Sequence, residues 1–419
     1  MKKRLFIFLL FLSANCFAEI RPWPENPGYW SFEGKPVVLA GASDDDNLFQ
    51  WPAKELTDQL ERLQAVGGNL VRNTMSDRRD KGFEIYPYRE IAAGKYDLDQ
   101  WNPEYWQRFE YFLAETAKRK IIVQIELWDR FDFSDHGEIK HWSAHPYNPE
   151  NNINYSHWRS GFKPRYLDHP GENKQPFFFT TPKQRNNKLI LAYQQKFINK
   201  VLEHSLKYDH VLYCIDNETK ADSEWSEFWA KYVKQLAQQK EKVIYVTEML
   251  DDRTMDVRNH SRTLDHPALY DFVEISQNNH NSGNEHWQNL LRIRAHINHH
   301  PRPMNSIKVY GANGNTYGND QDALQRFWLN VIGGTSAIRF HRPVSGLGLN
   351  EKSGNAIRAL RILQTKVNLW EFKPLMRSPA KAGSYMAGNG TSFLIYLEKN
   401  PGQDISKLIG ESRVEGVLN

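Results

Sequence analysis

The residues best equipped for chemistry in this chain stand at the ends of short β-branched runs. VLYCIDNE (211–218) ends in Asp216, Asn217 and Glu218, and VIYVTEM (243–249) carries Glu248. Two carboxyl groups flanking one bond are what general acid and base work requires, one giving a proton while the other takes one or adds to a developing cation. NSIKVYG (305–311) brings Lys308 and Tyr310, SAIRFHR (336–342) brings Arg339, His341 and Arg342, and NLVRNT (69–74) brings Arg72 and Asn73. Arginine and lysine at such positions orient carboxylates or receive anions. Trp128, Asp129 and Arg130 end IIVQIELWD (121–129), while Gln277, Asn278 and His280 close FVEISQN (272–278), and Ser43 with Asp44 to Asp46 closes VVLAGAS (37–43). No HExxH run or cysteine cluster is present, so neither a metal nor another cofactor is expected.

Positioning these groups together requires that the runs be parallel strands whose C-terminal ends meet. Eight such runs alternate with amphipathic stretches at 54–66, 103–119, 183–207, 222–240, 285–299 and 320–332. That alternation predicts repeated βα units, and eight of them favour a (β/α)8 TIM barrel within the α/β class over a doubly wound sheet. In such a barrel the functional residues lie at the C-terminal ends of the strands, so Glu218, Asn217, Trp128, His341 and Arg342 are expected to line one cleft. Glu126 and Glu274, in mid-strand, are expected to be structural. The stretch from about 130 to 182 is long for a connection and rich in Trp, Tyr, His and Asn, which suits an inserted binding loop on the same face. After a further helix-like stretch (354–369), AGSYMAGNGTSFLIYLE carries Gly-Asn-Gly between apolar runs, the mark of a β-hairpin. The expected domains are a barrel over 19–372 and a small antiparallel β appendage over 373–419.

The 419 residues, 40% hydrophobic and 25% charged, exclude disordered and disulfide-stapled classes. Lys2, Lys3 and Arg4, the apolar run Leu5–Leu12 and the small residue Ala18 read as a signal peptide over 1–18, which implies a secreted or periplasmic protein. Its removal takes away three cations and no acids, leaving a nearly neutral chain with Cys214 as the remaining cysteine. The apolar run is too short to anchor the chain in a membrane, and the net charge gives no reason to expect nucleic acid.

The Asn217-Glu218 pair ending the fourth run, together with Arg72 on the second, resembles the large clan of retaining (β/α)8 glycoside hydrolases. The barrel followed by a helix and a motif like AGSYMAGNGTSFLIYL is similar to the apiosidase-like group with a collagen-binding type of C-terminal domain. This resemblance implies a carbohydrate substrate, Glu218 as a general acid/base kept protonated near neutrality by an enclosed site, Asn217 on a substrate hydroxyl, and Arg72 as organiser of the carboxylates. The chain departs from the clan on the seventh run, where Lys308 stands at the place of the nucleophilic glutamate. Glu248 is then the preferred second carboxyl group, with Asp129 and Asp44 to Asp46 as alternatives and a salt bridge to Lys308 or an arginine as the competing role for Glu248. Arg72, Arg130, Lys308, Arg339 and Arg342 near strand ends favour a sulfated or uronate-bearing sugar, unless the arginines serve only to orient neighbouring acids. Asp129, His280 and Tyr310 complete the expected substrate contacts. Three functions stay open: a hydrolase of poly- or oligosaccharides, a catalytically inactive carbohydrate-binding barrel, and a polysaccharide lyase using Lys308, Tyr310 or His341 as base.

Overall fold

The computed structural model describes residues 19–76, 81–137, 141–312, 316–375 and 384–398; the expected signal peptide and the part of the expected appendage beyond 398 lie outside them. All eight expected runs form strands, here numbered β1 (Leu39–Ala42), β2 (Leu70–Thr74), β3 (Ile122–Asp129), β4 (Val211–Asn217), β5 (Val246–Thr247), β6 (Val273–Glu274), β7 (Met304–Val309) and β8 (Ala337–Phe340). They pair in parallel in the order β5-β4-β3-β2-β1-β8-β7-β6. The remaining seam, between β5 and β6, is bridged by the Asp271 N–H donating to the Val246 carbonyl at 2.8 Å and by the Thr247 hydroxyl donating to the Phe272 carbonyl at 2.7 Å. The result is a TIM barrel.

Each strand is followed by one helix of the outer ring: α1 (Ala53–Ala65), α2 (Pro103–Lys118), α3 (Lys188–Ser205), α4 (Ser223–Gln239), α5 (Val257–Leu264), α6 (Gly283–His296), α7 (Asp320–Ile332) and α8 (Glu351–Gln364). Their starts are chemically marked. Asn102 accepts the Glu104 N–H ahead of Pro103 at the first turn of α2, and Asn319 and Asp322 form a reciprocal capping box on α7. The 130–182 excursion between β3 and α3 is ordered by its aromatic residues: Trp142, Tyr147, Tyr155 and Tyr166 are buried, whereas Trp158 is almost fully exposed.

Two small antiparallel sheets finish the barrel. At its N-terminal end the sheet Arg21–Trp23, Asn26–Phe32, Lys35–Val37 drives Trp30 into the barrel floor. There Trp30 packs with Ile20, Leu39, Leu70, Ile122, Leu212 and Phe272, and its indole N–H donates to Asn305 Oδ1 at 2.9 Å. The free thiol of Cys214 is buried in the same cluster. Late in the chain Lys373–Pro374, Ser384–Gly388 and Phe393–Leu397 form the expected appendage, with Gly390 at φ 93° in the turn where a side chain would be strained. Tyr385 and Ala387 of this sheet pack on Trp287 of α6 and Leu329 of α7.

Because Trp30 closes the floor with both area and a hydrogen bond, Trp30→Ala is expected to lower stability by about 3–5 kcal/mol and Trp30→Phe by about 1 kcal/mol, the second measuring the lost indole contact. Chemical denaturation of the two variants checks this ordering.

Candidate functional site

At the end of β4 the backbone turns sharply. Glu218 adopts the left-handed conformation, φ 55°, which is costly for a side-chain-bearing residue and swings its carboxylate into the open end of the barrel. One oxygen, Oε1, receives Lys308 Nζ from β7 at 2.5 Å, Gln277 Nε2 from the turn after β6 at 3.0 Å and the Tyr310 hydroxyl at 3.2 Å. Lys308 also donates to Asn217 Oδ1, while Asn217 Nδ2 donates to Asp129 Oδ1 at 3.0 Å. Asn217, Glu218, Asp129, Lys308 and Tyr310 are thus one connected group built from β3, β4 and β7.

This contact corrects one electrostatic expectation. Burial alone would raise the Glu218 carboxyl, but the Lys308 ammonium, with further help from Arg72 and Gln277, holds it well below the ordinary carboxylate range. Glu218 is therefore ionised near neutrality instead of protonated. Lys308 is also the partner of Glu218 and not of Glu248.

An aromatic wall adjoins the pair. The Tyr310 ring stacks on Tyr317 at 4.7 Å and leans on His280 at 4.6 Å and His341 at 5.0 Å. Burial pushes His280 down to about 3 and His341 well below the usual imidazole range, so both are neutral hydrogen-bonding groups at physiological pH. Tyr317 had no signal in the sequence beyond a Gly- and Asn-rich stretch that reads as a loop.

Below and beside this wall lies a lattice of ion pairs. Arg72 grips Glu126 through two bonds of 2.6 and 2.5 Å and reaches Asp46 Oδ1 at 2.7 Å. Asp46 also faces Arg339 at 3.0 Å, Arg342 at 3.3 Å and the neutral His341 at 3.5 Å, and Arg72 together with these two arginines keeps its carboxyl well below the ordinary range against the effect of burial. Arg130 pairs with Asp216 at 3.1 Å. The expected concentration of free positive charge is therefore replaced by cations matched to acids, the orienting role that competed with it. Glu274, expected to be structural, accepts from the Ser276 N–H at 2.8 Å and from Gln124 at 3.1 Å inside the barrel, where burial pushes its carboxyl up to about 7.

Two expected site residues lie elsewhere. Trp128 is buried among Phe177, Phe197, Trp225 and Trp229, on the side of β3 that faces the helices, and does not line the cleft. Glu248 is likewise turned to the helix layer. Its side chain is fully buried beside Arg262 of α5 at 3.3 Å, and burial, reinforced by Asp216, pushes it up to about 7. Both departures follow from strand alternation: one extra or missing residue at a strand end moves a side chain from the barrel mouth to the helix layer. Among the described residues no group of three or more His, Cys, Asp or Glu is arranged to hold a metal ion.

Comparison with known proteins bears on this geometry. Residues 90–284 match a family model described as "Domain of unknown function (DUF6298)". No curated protein sequence matches the chain. Solved structures do. A glycoside hydrolase family 5 mannosidase from Rhizomucor miehei superposes with a TM-score of 0.58 at 13% identity, covering 84% of this chain and 99% of the other. A glycoside hydrolase family 5 protein from Bacteroides vulgatus gives 0.56 at 14% identity over 94% of this chain and 84% of the other. An endo-β-1,4-mannanase from Thermotoga petrophila gives 0.51 at 12% identity, with 85% and 84% covered. The fold is shared with glycoside hydrolases.

The Lys308–Glu218 pair makes a pH-dependent prediction. Because Glu218 ionises well below its ordinary value in the folded protein, the pair contributes fully above about pH 4.3 and loses its contribution as the pH falls further. Lys308→Met is expected to cost about 2 kcal/mol at neutral pH, less than a fully buried pair because the Glu218 side chain is 19% exposed and regains water. Melting temperatures of wild type and variant should converge as the pH is lowered from 7 towards 3.

Proposed function

We propose that the protein is a glycoside hydrolase acting on a poly- or oligosaccharide, with Glu218 as the group that handles the proton. One observation carries this reading: a glutamate ending β4 presents its carboxylate at the open end of the barrel, bracketed by Lys308, Tyr310 and Gln277. Since Glu218 enters the reaction ionised, it first accepts a proton and only then passes one to the departing oxygen, the reverse of the order expected of a resting general acid. Asn217, His280, His341 and the exposed part of Arg342 are the hydrogen-bonding partners of the sugar. Mannans are the first neutral substrates to try, as the names of the superposing mannosidases and mannanases suggest. Sulfated and uronate-bearing chains are the second, because Lys308 and Arg342 place cations beside the open end of the barrel. The apiosidase-like resemblance and a secreted or periplasmic location are part of the same proposal.

A second reading draws on the ion pair itself. With lysine where the clan's nucleophile belongs, and in contact with the acid/base glutamate, the barrel would bind carbohydrate without cleaving it. The lyase reading is weaker, because Lys308 is engaged by Glu218 and Asn217, and His341 by Asp46 and Ser345.

Incubation of purified protein with neutral and anionic glycans separates the three: new reducing ends mark the hydrolase, a product absorbing in the near ultraviolet marks the lyase, and binding without either marks the inactive barrel. Glu218→Gln is expected to lower kcat by about 10²–10⁴-fold while leaving glycan affinity nearly unchanged, because the amide keeps the shape but can neither accept nor return a proton. Turnover within tenfold of wild type would remove Glu218 from the mechanism.

A further inference from the structure

We propose that Tyr310 is the nucleophile of this site, attacking the anomeric carbon while Glu218 takes its phenolic proton. The inference rests on the hydrolase reading above and supplies the nucleophile that it lacks.

The carboxyl groups that could stand in for a β7 glutamate are committed elsewhere. Asp44 accepts the Leu349 N–H and faces Arg62, Asp45 accepts the Trp51 indole N–H and the Asp46 N–H, Asp46 is held by Arg72 and Arg339, Glu126 is gripped by Arg72 at both oxygens, and Asp129 accepts from Asn217 and the Phe131 N–H. Glu248 faces the helix layer, and Glu274 is hydrogen-bonded inside the barrel. Tyr310 is the nucleophile-bearing side chain that remains in contact with Glu218. It sits two residues beyond Lys308, past the end of β7, and its hydroxyl meets Glu218 Oε1 at 3.2 Å. Its ring is fixed between Tyr317, His280 and His341, which leaves the hydroxyl little freedom to point elsewhere. A nucleophile within hydrogen-bond reach of a base, with that base held in its active form by a third group, is the arrangement that covalent catalysis uses. Here Lys308 is the third group, since it keeps Glu218 ionised and therefore able to accept.

Burial and the nearby Glu218 charge raise the Tyr310 phenol well above its ordinary range, so it attacks as a neutral phenol whose proton leaves during bond formation. The step balances. The Tyr310 oxygen forms a bond to the anomeric carbon, its proton passes to Glu218, the glycosidic C–O bond breaks, and Glu218 returns the proton to the departing oxygen. A water molecule then gives a proton to Glu218 and attacks the anomeric carbon, and the tyrosyl oxygen departs with that proton. Two displacements give net retention. A neutral phenol also tolerates a carboxylate on the reacting sugar better than an anionic glutamate would, which fits the lysine beside it.

The test treats the wild-type protein with 2-deoxy-2-fluoro glycosyl fluorides of mannose, glucose, galactose and glucuronic acid, and identifies the modified peptide by mass spectrometry. It also determines the anomer first released from a cleaved glycan by NMR. The expected results are a sugar adduct on Tyr310, net retention, and a Tyr310→Phe variant that melts within a few degrees of wild type, still binds glycan, and loses on the order of a thousandfold in kcat. Azide added to that variant should restore cleavage of an activated aryl glycoside and yield a glycosyl azide of inverted configuration. Inverted product from the wild type, an adduct on another residue, or Tyr310→Phe turnover within tenfold of wild type overturns the role of Tyr310 and leaves the hydrolase reading in place. A wild type that neither cleaves any glycan nor takes a label overturns both. The labelling arm uses the unaltered chain, so a misfolded variant does not blunt the test.

Discussion

A single buried ammonium governs the open end of this barrel. Lys308 is 1% exposed, and a charge so enclosed persists only with an opposite charge and hydrogen-bond acceptors around it. Glu218 and Asn217 supply both, and they do so from adjacent positions on another strand. The left-handed turn at Glu218 is strained by about 1–2 kcal/mol, and its contacts with Lys308, Gln277 and Tyr310 offset that strain. Removing the lysine would therefore change more than a charge: it would release the residue that fixes where the carboxylate points.

The same requirement organises the rest of the mouth. Asp46, Arg72, Glu126, Arg339 and Arg342 occupy a region where water cannot solvate each ion separately, so each is placed against a partner. Arg72 shows how the lattice spans the barrel, joining Glu126 on β3 to Asp46 after β1 from its own place on β2. A region with this many ions and so little surplus charge presents directional hydrogen bonds to a ligand without a strong field, which suits a polyhydroxylated molecule. The barrel floor, by contrast, is closed by Trp30 and aliphatic strand residues, which keeps stability and chemistry at opposite ends.

How much of this could be read in the sequence depended on the kind of signal. The eight strands and seven of the eight helices were legible because apolar periodicity over many residues reflects a face that must be buried. The short helix α5, the hairpin Tyr88–Ala92 with Lys95–Trp101, and the N-terminal sheet were not, since a few residues of regular structure fixed by tertiary contacts leave no period to detect. Glu218, Asn217, Lys308, Tyr310, His280 and His341 were recognisable as strand-end residues and come together. Trp128 and Glu248 were recognised by the same rule and do not, because which face a terminal residue takes depends on local register that composition does not encode. The state of Glu218 was illegible for a different reason: the resemblance implied a protonated acid, and only the contact with Lys308 reverses it.

One strand links the candidate chemistry to the long excursion. Arg130, the first residue after β3, pairs with Asp216 of β4, donates to Asn173 Oδ1 at 2.5 Å, and lies 4.0 Å above the Phe178 ring. Asn173 and Phe178 belong to the excursion, and Asp216 immediately precedes the Asn217-Glu218 pair. A shift of the excursion against the barrel must therefore strain or break a buried ion pair two residues before Glu218. The excursion and β4 are thus mechanically coupled through charge.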